Sequence, residues 1–136
     1  MAGWQTARLR EIPTEHGSGF WDPWSKEPGY GERWRSIRAH FGITAFGVNA
    51  YDADAGEELV VAHDETDYGG QEELYYVVRG RARFALDGEE VELGEGELLY
   101  VRPEVMRQAD ALEAGTLVFM VGGAPGKPYE LWNFDA

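Results

Sequence analysis

The sequence predicts a single all-β domain built as an antiparallel sandwich or barrel. Short segments of strand-forming residues recur from about residue 43 to residue 122, and turns containing Gly, Pro or Asp separate them at short intervals. No long helical periodicity competes with this pattern. A chain of 136 residues has the length of one domain with one hydrophobic core.

The chain divides into an arm, a barrel and a tail. Residues 1–41 form an N-terminal arm that begins with an irregular stretch rich in Gly, Pro and Trp. Its last part, residues 31–41, fits a helical face or a half-buried strand equally well. Since exposed tryptophans make a sticky surface, we expect the arm to pack on the barrel or on a neighbouring subunit. Residues 42–123 form the barrel, and residues 124–136 form a C-terminal tail.

The barrel is predicted to contain a series of short strands. The clearest turn is Asp87-Gly88, because a two-residue hairpin needs the positive φ that Asp and Gly tolerate. The predicted strands span residues 43–51, 58–63, 73–79, 81–87, 89–93, 97–102, 107–112 and 116–122.

Charge and cysteine content exclude several classes of function. The formal net charge of −13 opposes binding to nucleic acid or to anionic membranes. A chain without cysteine has no disulfides, no thiolate metal site and no cysteine nucleophile. No apolar run approaches the ~20 residues of a membrane span, and the N-terminus lacks the apolar core of a signal peptide. We therefore expect a soluble, cytoplasmic protein.

Strand alternation indicates which side chains line the barrel. Gln71, Glu73, Tyr75 and Val77 share one face and are expected to point inward. The opposite face, with Leu74, Tyr76 and Val78, is expected to point outward. Tyr75 and Gln108 would be the polar groups that orient a ligand in a largely apolar cavity. Other expected lining residues are Phe84, Leu86, Tyr100, Met106 and Phe119.

The segment from about residue 56 to residue 122 resembles the cupin superfamily. Two motifs carry the resemblance: Glu73 is followed by Gly80 with six residues between them, and Gly96 opens a strand that ends at Pro103. The resemblance implies a double-stranded β-helix, the jelly-roll barrel of that superfamily. It says less about function, because this fold hosts enzymes, binding proteins and storage proteins.

The resemblance also implies a metal site, and this sequence departs from it. In metal-binding cupins, three histidines and the first motif's glutamate converge on one ion. Here only Glu73 is in place: the paired histidines fall on or next to Thr66 and Tyr68, and the last histidine falls on Arg107. Arginine has no lone pair to offer a metal, and its charge repels the ion. No cofactor is therefore favoured.

A different metal site stays open. If the loop from Asp64 to Gly70 is longer than usual in the family, His63 and Glu65 can point into the barrel beside Glu73. Such a His-Glu-Glu set suits a divalent transition metal. The chain would then be a metal-dependent oxygenase, isomerase or lyase.

The favoured interpretation is a homodimeric cupin that binds a small molecule without a metal. By the family correspondence, Glu73 and Arg107 should form an ion pair inside the barrel or at its mouth. That pair either joins two strands, or leaves Arg107 free to clamp an anionic ligand. The expected binding residues are Glu73, Arg107, Tyr75, Gln71, Gln108 and His63. A third interpretation makes the barrel a scaffold whose tryptophan-rich arm binds another protein.

Overall fold

Two antiparallel sheets face each other in the computed structural model, which describes residues 3–14, 33–66 and 69–128. The strands are β1 (Trp34–Ser36), β2 (Gly47–Ala53), β3 (Glu58–His63), β4 (Glu72–Arg79), β5 (Arg81–Leu86), β6 (Glu89–Gly94), β7 (Leu98–Val101), β8 (Arg107–Ala111) and β9 (Thr116–Gly123). The five-stranded sheet has the order β1-β2-β9-β4-β7, and the four-stranded sheet has the order β3-β8-β5-β6. This arrangement confirms the predicted jelly-roll barrel.

From residue 58 onwards, every predicted strand agrees with the structure to within one residue at each end. The hairpin of β5 and β6 turns at Asp87 and Gly88, whose φ angles of 50° and 87° are both positive as the turn requires. The first predicted strand, 43–51, is wrong at its start. Ile43 instead donates its N–H to the Arg38 carbonyl at 3.0 Å, which closes the end of a preceding helix.

The end of the N-terminal arm contains a short strand followed by a short helix. Residues 34–36 add β1 to the edge of the five-stranded sheet, and α1 (Ile37–Phe41) forms one helical turn after it. The Ser36 hydroxyl caps α1 by accepting from the Ala39 N–H at 3.2 Å, and Gly42 ends the helix at a φ of 71°. The two alternatives left open for residues 31–41, a half-buried strand and a helical face, are thus both found, one after the other.

The described beginning of the arm contacts the rest of the chain. Residues 9–11 form a short 3-10 helix, Ile12 is buried, and Thr14 forms a β-bridge with Arg35. Trp4, however, is exposed. Trp21 and Trp24 lie outside the described residues, so their packing and the scaffold interpretation stay predictions.

The core lies between the two sheets. Along β4, Tyr75 and Val77 are buried while Leu74, Tyr76 and Val78 are exposed, as predicted from strand alternation. Tyr75 packs edge-to-face on Phe84 of the opposite sheet, with ring centroids 5.2 Å apart.

Three expected lining residues are not in the interior. Tyr100 and Met106 are exposed, so they do not line the barrel. Phe119 pairs directly with Tyr76 and therefore lies on the outer face with it. Among the described ranges, no helix is long and apolar enough to cross a membrane.

Gly80 allows the chain to pass from one sheet to the other. It has a φ of 83°, and a Cβ at this position would lie 2.4 Å from Oγ1 of Thr116. Thr116 is fully buried at the start of β9, so it could move away from a new Cβ only by disturbing that strand. Both the conformation and the contact therefore require glycine at the join of β4 and β5.

Candidate functional site

The site is built around an ion pair that joins the two sheets. Glu73 on β4 and Arg107 on β8 both point into the barrel, where both side chains are buried. Nη1 of Arg107 donates to Oε1 of Glu73 at 2.7 Å. The predicted pairing of Glu73 with Arg107 inside the barrel is thus confirmed.

Tyr75 adds a second donor to the same carboxylate oxygen. Its hydroxyl lies 2.7 Å from Oε1 of Glu73 and donates to it. Burial, together with the charge of Glu73, raises the pKa of Tyr75 well above its ordinary value. The phenol therefore stays protonated and keeps its role as a donor at neutral pH.

Arg107 uses most of its hydrogens to hold the loop between β7 and β8. Nε donates to the Val105 carbonyl at 3.2 Å, and Nη2 donates to the carbonyls of Arg102 at 2.8 Å, Val105 at 2.9 Å and Pro103 at 3.3 Å. A guanidinium has five N–H groups, so at most one is left after these bonds and the one to Glu73. The expectation that Arg107 clamps an anionic ligand bidentately is therefore not supported by this geometry.

His63 and Glu65 form a second pair next to the first. Nδ1 of His63 lies 2.7 Å from the Val61 carbonyl, and because a carbonyl only accepts, Nδ1 carries a hydrogen. Nε2 lies 2.9 Å from Oε2 of Glu65. A contact this short between a ring nitrogen and a carboxyl oxygen needs a proton between them. His63 and Glu65 therefore share one proton.

The surroundings of this pair favour keeping that proton. Burial lowers the pKa of His63, but the hydrogen bond and charge of Glu65 outweigh it and raise the pKa overall. Burial likewise raises the pKa of Glu65. Because both pKa values are raised, His63 and Glu65 keep their shared proton more readily than two independent groups would.

The loop after β3 brings Glu65 inward. The Glu65 N–H donates to the Pro103 carbonyl at 2.8 Å, and the Gly70 N–H donates to the Glu65 carbonyl at 3.0 Å. Asp64 tightens the turn by accepting from the Thr66 N–H at 3.1 Å. The longer loop considered from the sequence thus does place His63 and Glu65 beside Glu73.

Two inward residues of β2 complete the group, and the sequence analysis missed them. Asn49 and Tyr51 lie on the face of β2 that pairs with the inward Met120 and Val118. Burial, and to a smaller extent the charges of Glu73 and Glu65, raise the pKa of Tyr51 above its ordinary value, so the phenol stays protonated at neutral pH. Their sequence signal was an amide and a phenol two residues apart in a predicted strand, because that spacing places both side chains on one face.

Gln71 is also buried beside Glu73. Gly122 makes room for both, because a Cβ there would lie 3.2 Å from Cγ of Glu73 and 3.3 Å from Oε1 of Gln71. We call these inward-facing residues the polar cluster: Asn49, Tyr51, His63, Glu65, Gln71 and Glu73.

Gln108 does not belong to the polar cluster. It lies on the other face of β8, where Nε2 donates to Glu58 at 2.8 Å and to Asp110 at 2.9 Å. The expectation that Gln108 orients a ligand is wrong, because alternation from the inward Arg107 turns it outward. The structure does bring together the other residues expected to bind: His63, Gln71, Glu73, Tyr75 and Arg107.

The spacing of the polar cluster alone would allow a metal ion. One ligand atom each from His63, Glu65 and Glu73 lie within 4.8 Å of one another. The charges oppose it: the Arg107 guanidinium already neutralises Glu73, and the lone pair of His63 Nε2 is engaged with Glu65. The His-Glu-Glu site left open by the sequence is therefore present in its spacing, but the charges around it oppose an ion.

Comparison with known proteins is consistent with the fold. A family model for the cupin domain matches residues 62–123. A cupin protein from Bacteroides fragilis is 20% identical with a TM-score of 0.61, over 85% of this chain and 97% of that one. KdgF from Halomonas sp. is 24% identical with a TM-score of 0.52, over 58% of this chain and 68% of that one.

A third structure extends the same comparison. A sugar phosphate isomerase of the cupin superfamily from Silicibacter pomeroyi is 18% identical with a TM-score of 0.55, over 65% of this chain and 57% of that one. At these identities the likeness establishes the fold alone. No protein of curated function gives a significant sequence match.

Proposed function

We propose that this chain is a member of the cupin superfamily that binds a small organic molecule at the polar cluster without a metal ion. The observation that carries the proposal is the gathering of buried polar side chains between two otherwise apolar sheet faces. Buried polar groups cost free energy unless they are hydrogen-bonded. A bound molecule would supply a partner where the protein itself does not.

One atom of the polar cluster lacks such a partner. Oδ1 of Asn49 is buried and accepts no hydrogen bond from the described residues. Leaving an acceptor in that state costs about 1–3 kcal/mol. A ligand hydroxyl that donates to Asn49 would remove this cost.

The balance of donors and acceptors indicates the class of ligand. Glu65 and Glu73 supply carboxylate oxygens and Asn49 supplies an unpartnered amide oxygen, whereas the hydrogens of Arg107 are largely used by the β7–β8 loop. An anion would face these carboxylates without a free cation to bind it. We therefore propose a neutral molecule that carries hydroxyl groups, in place of the anionic ligand considered from the sequence.

Thermal unfolding with a panel of named compounds tests this proposal. Neutral sugars and polyols are compared with sugar phosphates and dicarboxylates, each at millimolar concentration. A ligand present at about 100 times its Kd stabilises the folded state by about 2.7 kcal/mol, which raises the Tm by roughly 10 °C in a domain of this size. We expect such a shift with a neutral hydroxylated compound.

Matched variants place the binding at the polar cluster. Asn49→Ala should abolish the ligand-induced shift, and Gln108→Ala on the outer face of β8 should retain it. Stabilisation by the anionic compounds alone would reject the proposed ligand class. An undiminished shift in Asn49→Ala would reject the proposed location.

A further inference from the structure

The polar cluster carries its own cation. Arg107 stands directly opposite His63 in the ladder of β3 and β8, and its guanidinium reaches across the barrel to Glu73 in the other sheet. Its side chain is fully buried. A permanent positive charge therefore lies at the place where His63, Glu65 and Glu73 converge.

The charges of this group balance without any bound ion. The guanidinium offsets Glu73, and the proton shared by His63 and Glu65 offsets the second carboxylate. A divalent cation would have to displace the shared proton, and it would leave an uncompensated positive charge in a buried site. Burial makes such an excess costly, because little water is present to screen it.

The guanidinium is also held firmly in this position. Its bonds to the carbonyls of Arg102, Pro103 and Val105 fix it from the side opposite Glu73. To move away from an incoming metal ion, Arg107 would have to release the whole β7–β8 loop. The charge is therefore not one that a side-chain rotation removes.

We propose that Arg107 is the resident cation of this site and that it excludes divalent metals from His63, Glu65 and Glu73. Replacing it by an uncharged ligand residue should uncover a metal site in the same barrel. Histidine at this position adds an imidazole donor to His63, Glu65 and Glu73, a set that suits Co²⁺ or Zn²⁺. This inference does not depend on the identity of the small-molecule ligand.

Titration with Co²⁺ tests it, since bound cobalt is seen by visible absorption and needs no enzymatic assay. We expect Arg107→His to bind about one equivalent, roughly 100-fold or more tightly than the wild type. Arg107→Lys keeps a positive charge and should bind as weakly as the wild type. Arg102→His, on an exposed side chain five residues away in the sequence, controls for a histidine that merely adds a surface ligand.

The double variant Arg107→His/Glu65→Gln should lose the site gained by Arg107→His, because it removes one ligand. If Arg107→His does not fold, as judged by circular dichroism, Arg107→Gln offers a second uncharged replacement. Two results would overturn the proposal: stoichiometric, tight Co²⁺ binding by the wild type that Glu65→Gln abolishes, which would support the metal-dependent alternative, or a folded Arg107→His that binds Co²⁺ no more tightly than the wild type. Weak Co²⁺ binding by the wild type together with tight binding by Arg107→His supports the proposal. Neither result depends on the outcome of the sugar and polyol experiment.

Discussion

Arg107 and Glu73 connect the two sheets of the barrel through one short ion pair, with Nη1 of Arg107 2.7 Å from Oε1 of Glu73. Both side chains are buried, so each charge depends on the other for compensation.

Glu73→Gln should destabilise the fold strongly, because it leaves the charge of Arg107 buried without a counter-ion. We expect a loss of about 3–5 kcal/mol in the free energy of unfolding, measured by urea denaturation. Glu58→Gln, at an exposed carboxylate on β3, is the control and should change stability by less than about 0.5 kcal/mol. Equal effects of the two substitutions would show that the ion pair contributes nothing beyond a surface charge.

Gly80→Ala should destabilise the fold more than Gly88→Ala. Both glycines have a positive φ near 85°, so both substitutions introduce backbone strain of about 1–2 kcal/mol. Only at Gly80 would the new Cβ also meet a neighbour, since Thr116 lies 2.4 Å away, whereas the space at Gly88 is open. Chemical denaturation of the two variants measures the difference, which should be at least about 1 kcal/mol. The prediction is contradicted if the two losses are the same.

The stability of the protein should fall at alkaline pH because of Tyr75. Its pKa in the folded state is raised above its value of about 10 in the unfolded chain, so its contribution is complete below that pH. Above pH 10 the unfolded chain loses this proton first, so Tyr75 lowers stability by about 1.4 kcal/mol per pH unit until its folded pKa is reached, and Tyr51, whose pKa is also raised, adds to the loss. Urea denaturation between pH 9 and pH 11 follows this change.

Variants identify the tyrosine responsible. Tyr75→Phe should have a shallower loss of stability above pH 10, although it is less stable than the wild type at neutral pH because Glu73 loses a donor. Tyr76→Phe, on the exposed face of the same strand, should keep the wild-type slope. A slope unchanged by Tyr75→Phe would assign the alkaline loss to other groups.

The outer face of β4 and β7 should mediate a homodimer. Leu74 pairs with Tyr100 and Tyr76 pairs with Leu98, so these four exposed side chains form one apolar surface. We expect light scattering to give the mass of a dimer at micromolar concentration, and Leu98→Glu to give a monomer. Met106→Glu, an equally polar change at another exposed site, should stay dimeric. A monomeric wild type would remove the basis for this prediction.

The barrel could be predicted from the sequence because its signals are local. Turns such as Asp87-Gly88 and the alternation from Gln71 to Val78 depend only on neighbouring residues, and the structure reproduces both. The start of the first long strand could not be predicted in this way. Its position depends on the helix before it, whose end takes the backbone N–H of Ile43.

The polar cluster could be predicted only in part, because it depends on contacts between distant segments. The motif spacing located Glu73 and Arg107, and the i, i+2 relation placed His63 with Glu65. The role of Arg107 in the β7–β8 loop could not be foreseen, because it requires the positions of three backbone carbonyls. That contact is also what changes the expected ligand from an anion to a hydroxylated molecule.

The Pro103 carbonyl accepts from two parts of the site at once, the N–H of Glu65 at 2.8 Å and Nη2 of Arg107 at 3.3 Å. The loop after β3 and the loop after β7 are thereby tied at a single oxygen atom, next to the groups that carry the charges. A ligand that displaces Glu65 or Glu73 inside the barrel would therefore displace both loops together.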